Sequence, residues 1–239
     1  MATLFDSASL AMIPSGYKDD KLYSIKPTDG SGDFTFSRDG AGASPATRVN
    51  ASGLIEKGRT NEVLQSNTFS SGTWGKTNVS VTGGQSGYDG SSDAWLLEGT
   101  GSSVFSYLLQ STSLSSVKTR SVYAKAGSVP YLGIWGSGSN FGYFDLSNGT
   151  LGTISGSATI DHNITNVGGG WYRCEFTTTS ATTAFYLVPS AVPNGTSLST
   201  GDNIYIQDAQ LEQGLVATAP AIETTTAPVS AGLLGDMPR

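Results

Sequence analysis

The chain has 239 residues and a formal net charge of −6, and glycine, serine and threonine together account for 92 of its residues. Small polar residues in such numbers are poor helix formers, which disfavours a helical bundle, a coiled coil and a doubly wound α/β enzyme. Hydrophobic residues still make up 37% of the chain and aromatic residues 10%, which excludes a disordered linker and requires a packed core.

Charge and hydropathy exclude two further classes of protein. The pI is near 4.6 and the Lys and Arg residues are scattered, so the chain lacks the basic stripe of a nucleic-acid-binding protein. No apolar run approaches the length of about 18 residues that a membrane span needs. The opening residues also lack a basic segment and a long apolar segment, so no secretory signal is expected.

Residues 1–65 are predicted to form an extended N-terminal arm with a few short strands. Short apolar pieces alternate there with Gly, Pro, Asp and Ser, and none is long enough for a helix. We expect this arm to be ordered by packing on another surface, and the alternative is a flexible, solvated tail. The side chains that would anchor it are Leu10, Met12, Ile13, Tyr17, Leu22, Tyr23 and Ile25.

Residues 66–214 carry repeated strand signals separated by turn residues such as Ser-Asn-Gly at 147–149. Eight or nine strands at this spacing predict an all-β fold, a jelly-roll-like antiparallel β-sandwich. Residues 215–239 are rich in Ala, Thr and Pro and are predicted to be a linker that leads to a further module. The candidate strands are 93–97, 103–110, 120–126, 131–135, 141–146, 158–164, 171–178, 184–189 and 204–211.

The segment 171–176 (WYRCEF) shows the alternation of a strand with one buried face. Tyr172, Cys174 and Phe176 are expected on the core side, because successive side chains of a strand point to opposite faces. Cys174 is therefore read as a small buried hydrophobe. As the sole cysteine it also rules out an intrachain disulfide.

The opposite face of the same strand is a candidate for sugar binding. Flat aromatic rings can pack on the apolar faces of pyranoses, while charged and amide groups bind the hydroxyls. Trp95, Trp135, Tyr143 and Trp171 supply such rings, and the alternation favours Trp171. The alternative is that the tryptophans fill a core or a subunit interface. The predicted glycan-binding residues are Trp171, Arg173, Glu175 and Gln207.

No catalytic residue, cofactor or metal site is predicted, and the chain is not expected to be an enzyme. His162 is the sole histidine, and no Gly-x-Ser-x-Gly elbow accompanies it. No two carboxylates stand out as the pair that glycoside cleavage requires. A structural calcium at Asp145 or Asp208 is an alternative, but it would need six to eight oxygen ligands that one sequence cannot assemble.

The first 65 residues resemble the opening of tailed-bacteriophage fibre and capsid-appendage proteins. The matching stretches are PSGYKDDKLYS (14–24), GDFTFSR (32–38), ATRVNASGLIE (46–56) and RTN (59–61). The central region is similar to a carbohydrate-binding-module-like β-sandwich of the same proteins. Its matching stretches are SVYAKAG (121–127), YFDLSNGTLGT (143–153), GGGWYRCEFTTTS (168–180) and GDNIYIQDAQLEQG (201–214).

This resemblance implies a structural virion protein, a head-fibre or capsid-decoration protein anchored by its arm and assembled in the host cytoplasm. Its expected partners are other virion proteins and further copies of the chain, with a homotrimer as the usual form of a fibre. The alternative that it implies is a tail-fibre or receptor-binding module that recognises a bacterial surface polysaccharide. No nucleic acid and no membrane are expected as partners.

Overall fold

A computed structural model describes most of the chain, which divides into two compact units: Met1–Arg59 with Ser230–Arg239, and Thr60–Val229. For 13–18, 21, 35, 47–49, 55–57 and 230 it describes the backbone alone. The described residues are 7–18, 21–35, 47–49, 55–57, 60–102, 104–112, 114, 116–179, 183–219 and 221–230.

The first unit contains short antiparallel strands, as the sequence predicted for the arm. Strands β1 (Ala11–Lys18), β2 (Lys21–Lys26) and β3 (Phe34–Thr35) form a sheet in the order β1-β2-β3. Strands β4 (Thr47–Val49) and β5 (Ile55–Lys57) pair with each other. Residues 231–239, the predicted lead into a further module, lie outside the described residues.

The second unit contains the sandwich, and its last residue belongs to β21 (Val229–Ser230). Its other strands are β6 (Thr60–Asn61), β7 (Gly75–Thr77), β8 (Val79–Gln85), β9 (Ala94–Gly99), β10 (Val104–Phe105), β11 (Tyr107–Ser111), β12 (Lys118–Ala126), β13 (Tyr131–Trp135), β14 (Phe141–Asp145), β15 (Thr150–Ser155), β16 (Thr159–Gly168), β17 (Trp171–Thr178), β18 (Ala184–Ser190), β19 (Ser197–Leu198) and β20 (Asn203–Gln213).

Two six-stranded antiparallel sheets face each other in this unit. Sheet 1 has the order β15-β14-β13-β18-β11-β7, and sheet 2 has the order β16-β17-β12-β20-β9-β8. Between β9 and β20, strands that follow each other along the chain mostly lie in opposite sheets, and this interleaving is the jelly-roll arrangement. The predicted all-β, jelly-roll-like antiparallel sandwich is therefore confirmed.

The main core lies between the two sheets and follows the predicted alternation. Cys174 and Phe176 are fully buried in it, and Tyr172 packs against it. Burial raises the pKa of the Cys174 thiol well above its usual value, as expected for a small buried hydrophobe. Trp171, by contrast, belongs to a second cluster with Tyr123 on the outer face of sheet 2.

The sandwich unit extends beyond the predicted limits of 66 and 214 at both ends. Asn61 is fully buried, and its Nδ2 donates hydrogen bonds to the carbonyls of Ala209 (3.1 Å) and Ile222 (2.7 Å). Its Oδ1 accepts one from the Leu211 N–H (3.0 Å). These hydrogen bonds connect both flanking segments to β20. The end of the predicted arm and the start of the predicted linker are therefore parts of the sandwich unit.

Candidate functional site

The four predicted glycan-binding side chains share the outer face of sheet 2. Strand β17 positions Trp171, Arg173 and Glu175 at alternate residues, and Gln207 lies on β20. The strand between them, β12, places Tyr123 opposite both Arg173 and Gln207 in the register. The structure therefore brings the predicted residues to one surface, on two strands that both pair with β12.

Most of these side chains are covered. Trp171 is 3% exposed, Arg173 is 6% exposed and Gln207 is fully buried, whereas the Glu175 side chain keeps 17% of its surface exposed. The indole of Trp171 packs beside Tyr123 and does not offer a flat face to solvent. Glycan binding by this set stays a prediction, and in this conformation it would need the covering segments to move.

The loop 86–93 is the first covering segment. Tyr88 stacks on Tyr123 with ring centroids 3.6 Å apart. Its backbone N–H donates to Gln207 Oε1 (3.0 Å), and Gln207 Nε2 donates to Asp93 Oδ1 (2.8 Å). The Gln207 amide is thus saturated by protein groups and is not available to a sugar hydroxyl.

Asp208 lies under the same loop, at a bulge of β20 where its φ is 53°. Its Oδ2 accepts a hydrogen bond from the Tyr88 hydroxyl (3.1 Å), and its buried Oδ1 has no hydrogen-bond partner among the described residues. Burial, followed by the nearby charge of Glu223, raises the pKa of Asp208 to about 7. The carboxyl is therefore partly protonated at neutral pH.

The segments 214–219 and 221–224 cover the other end of this face. Arg173 donates from Nη2 to the Thr218 carbonyl, and its Nε lies 3.5 Å from Glu175 Oε1. The fully buried Glu212 carboxylate accepts hydrogen bonds from the Thr218 N–H and from its hydroxyl (2.7 Å to Oγ1). The charges of this face thus hold a covering segment in place.

The outer face of sheet 1 carries a layer of aromatic rings. Trp135 stacks on Phe141 with centroids 4.9 Å apart and an interplanar angle of 26°. Tyr107 lies 5.3 Å from Tyr186 and 4.8 Å from Phe105, which is 43% exposed. These rings come from four neighbouring strands and from β10, so only the pairing of the strands assembles them.

Gly133 makes room for two of these rings. A Cβ at this position would lie 2.7 Å from Trp135 Nε1 and 2.9 Å from Tyr143 Cε1. Tyr143 also donates a hydrogen bond to the Gly195 carbonyl (2.6 Å), and burial raises the pKa of its hydroxyl to about 12. The hydroxyl therefore stays protonated, and the ring is fixed beside Trp135.

The aromatic layer continues into a cleft. The register aligns Leu109, Tyr186, Trp135 and Phe141 across four strands, a span of roughly 14 Å at the usual strand spacing. Leu109 also lines a cleft of about 600 Å³ beside β7. Sequence reasoning named Trp135 and Tyr143 as candidate rings but missed this row, although alternation within β11, β14 and β18 was a usable signal.

Asp145 and His162, which the sequence analysis considered but did not predict as site residues, make hydrogen bonds or polar contacts within the sandwich. Within the described ranges no group of three or more His, Cys, Asp or Glu residues could hold a metal ion. Asp145 accepts hydrogen bonds from the N–H groups of Ser147 (2.9 Å) and Asn148 (3.1 Å) and so caps a turn. His162 Nε2 lies 3.0 Å from the Gly152 carbonyl oxygen.

No described helix is long and apolar enough to cross a membrane.

Comparison with protein-family models and with curated proteins gives no match. One matching solved structure is the enzymatically active domain of bacteriophage CBA120 tailspike protein 4, with 15% sequence identity and a TM-score of 0.29. The match covers 65% of this chain and 21% of that one, so this chain spans about a fifth of that structure's length. The similarity is to a bacteriophage protein, but its TM-score is too low to carry an argument about fold or function.

Proposed function

We propose that this chain is a structural protein of a tailed-bacteriophage virion. In this proposal the Met1–Arg59 part attaches to other virion proteins, and the jelly roll projects as a head-fibre or capsid-decoration module of a homotrimer assembled in the host cytoplasm. The observation that carries the proposal is the division of the chain after Arg59. The stretches that resemble appendage-protein openings end at Asn61, within two residues of that point, and the compact sandwich unit begins at Thr60.

The surface of the first unit supports an anchoring role. Leu10, Tyr23 and Ile25 are 40–44% exposed, although all three are large apolar or aromatic side chains. Met12 and Leu22 are half-buried, and the side chains of Ile13 and Tyr17 lie outside the described part of the structure. Exposed apolar groups clustered in one small unit are typical of a surface that a partner covers.

Substitution of the exposed anchor residues tests this proposal. In the full chain, Leu10, Tyr23 and Ile25 are changed together to Ser, and the copy number per purified virion is measured by quantitative mass spectrometry. We expect a loss of at least tenfold. The matched control changes Leu151, Ile154 and Ile160, which are equally exposed in the sandwich, and should incorporate normally. Normal incorporation of the anchor variant would contradict the proposal, and cryo-electron microscopy of the particles would separate head from tail.

A second function, binding of a bacterial surface polysaccharide, is favoured by the aromatic face of sheet 1. Aromatic rings in a row across several strands offer the apolar area that pyranose rings pack against. Trp135→Ala should lower the affinity for a bound glycan at least tenfold and change the melting temperature little, because Trp135 is only half-buried. Trp171→Ala should instead lower the melting temperature. Retained binding in Trp135→Ala would place the sugar site elsewhere.

A further inference from the structure

The Thr60–Val229 unit contains five lysine and arginine side chains. Four of them are buried or hydrogen-bonded within the sandwich. Lys118, Arg120 and Arg173 are buried. The Lys76 ammonium donates to three backbone carbonyls. Lys125 differs from the other four, because it lines an open cleft and has neither a hydrogen bond nor an ion pair within the described part of the chain.

This cleft has a volume of about 520 Å³ and is lined by residues of β8, β12 and β20 and by the residues that directly follow β8 and β12. Lys125 on β12 and Tyr205 on β20, which both line the cleft, are direct partners in the register. Gln85 and Asn203, whose side chains carry amide groups, also line it. None of the lining residues is an aspartate or a glutamate.

The position of the Lys125 side chain is restricted by its neighbours. The register places Trp171 on one side of it and Tyr205 on the other. Gly170, with φ at 81°, lies beside it, and an added Cβ there would be in ordinary van der Waals contact with Lys125 Cε, at 3.6 Å. An aliphatic stem held between aromatic neighbours loses less freedom when its ammonium binds an anion, because part of that ordering is already present.

We propose that this cleft binds a monoanionic saccharide. The carboxylate of a uronic acid residue would pair with the Lys125 ammonium, and the sugar ring would pack along Tyr205. One uncompensated cation matches one carboxylate, and the aromatic ring and amides beside it match a pyranose and its hydroxyls. The proposal depends neither on the virion assignment nor on the aromatic face of sheet 1.

Titration calorimetry of the full chain with two matched oligosaccharides tests the proposal. The first is the disaccharide of glucuronate and N-acetylglucosamine, which carries one carboxylate, and the second is the neutral disaccharide of N-acetylglucosamine. We expect binding of the acidic sugar to be at least about tenfold tighter and to weaken as salt is raised from 50 to 500 mM, since salt screens an exposed charge pair. Equal affinity for the two sugars would overturn the proposal.

Variants that remove or keep the positive charge at Lys125 test whether this side chain binds the sugar. Lys125→Gln should lower the affinity for the acidic sugar at least tenfold, and Lys125→Arg should keep it within about threefold, because both cationic side chains pair with carboxylates. Lys26→Gln removes the same charge from the other unit and should have no effect. Retained binding in a folded Lys125→Gln protein would overturn the proposal, and so would displacement of the sugar by an equal concentration of acetate.

Discussion

At the position of Asp208 a carboxyl group is buried in sheet 2 beside a tyrosine hydroxyl and other acidic residues. Its pKa is raised to about 7 from an ordinary value near 4, so the neutral form is the one that the fold favours. The Tyr88 hydroxyl donates a hydrogen bond to this carboxyl while its ring stacks on Tyr123, so the loop 86–93 is in direct contact with the ionisable group.

We therefore expect the stability of the sandwich to fall as pH rises between about 4 and 8. A folded-state pKa above the unfolded value gives a contribution that is fully present below pH 4 and is lost as pH rises through 7. The shift of about three units corresponds to roughly 4 kcal/mol at most in the free energy of unfolding. Urea unfolding at a series of pH values measures this slope.

Two variants test whether Asp208, and not another acidic group, causes this pH dependence. Asp208→Asn cannot ionise and should flatten the pH dependence over this window. Asp161→Asn removes an exposed carboxylate from the edge strand β16 and should leave the dependence unchanged. An unaltered slope in Asp208→Asn would show that the pH dependence arises elsewhere.

A single glycine supports the aromatic face of sheet 1. Gly133→Ala would place a methyl group 2.7 Å from Trp135 Nε1, and the rings would have to move. We expect a loss of about 1–3 kcal/mol in the free energy of unfolding and a changed near-ultraviolet circular dichroism spectrum. Gly75→Ala in the same sheet is the control, because its added Cβ meets only a carbonyl oxygen 3.6 Å away. Equal effects of the two variants would contradict this role for Gly133.

At the scale of the elements, strand prediction succeeded where a short segment is rich in aromatic and aliphatic residues. Tyr131–Trp135 and Trp171–Thr178 were predicted with their observed bounds. Strands β7, β8 and β15 were missed, because they contain at most two aliphatic residues each and lie at sheet edges, where less burial is needed. Edge strands carry a weaker pattern than central strands for this reason.

The flanking segments give a prediction at the same scale. A fragment of residues 66–214, the predicted sandwich, lacks Asn61, the fully buried Val63 and the buried Thr224. Loss of Asn61 leaves buried backbone groups of β20 without partners, each worth about 1–3 kcal/mol. We expect this fragment to melt well below a fragment of residues 60–229, as measured by calorimetry. Equal melting temperatures would contradict the structural role of these segments.

For the whole molecule, the division into two compact units predicts how the chain unfolds. Every buried member of the main core cluster lies between Val63 and Leu211. Removal of residues 1–59 should therefore shift the melting temperature of the sandwich by no more than about 2 °C, which corresponds to less than 1 kcal/mol for a domain of this size. A much larger decrease on scanning calorimetry would show that the sandwich depends on the first unit.

The sequence alone determined the fold class and the inward face of β17, because alternation and turn residues are local properties of the chain. Its single cysteine also excluded an intrachain disulfide. It also predicted that Arg173, Glu175 and Gln207 flank Trp171, and glycan binding by these residues stays a prediction. The tertiary structure decided that the outer face of sheet 2 is covered and that aromatic rings gather on the other sheet. Tyr88 covers Asp208 from 120 residues away, and contacts at such separations depend on strand pairing, which no local pattern encodes.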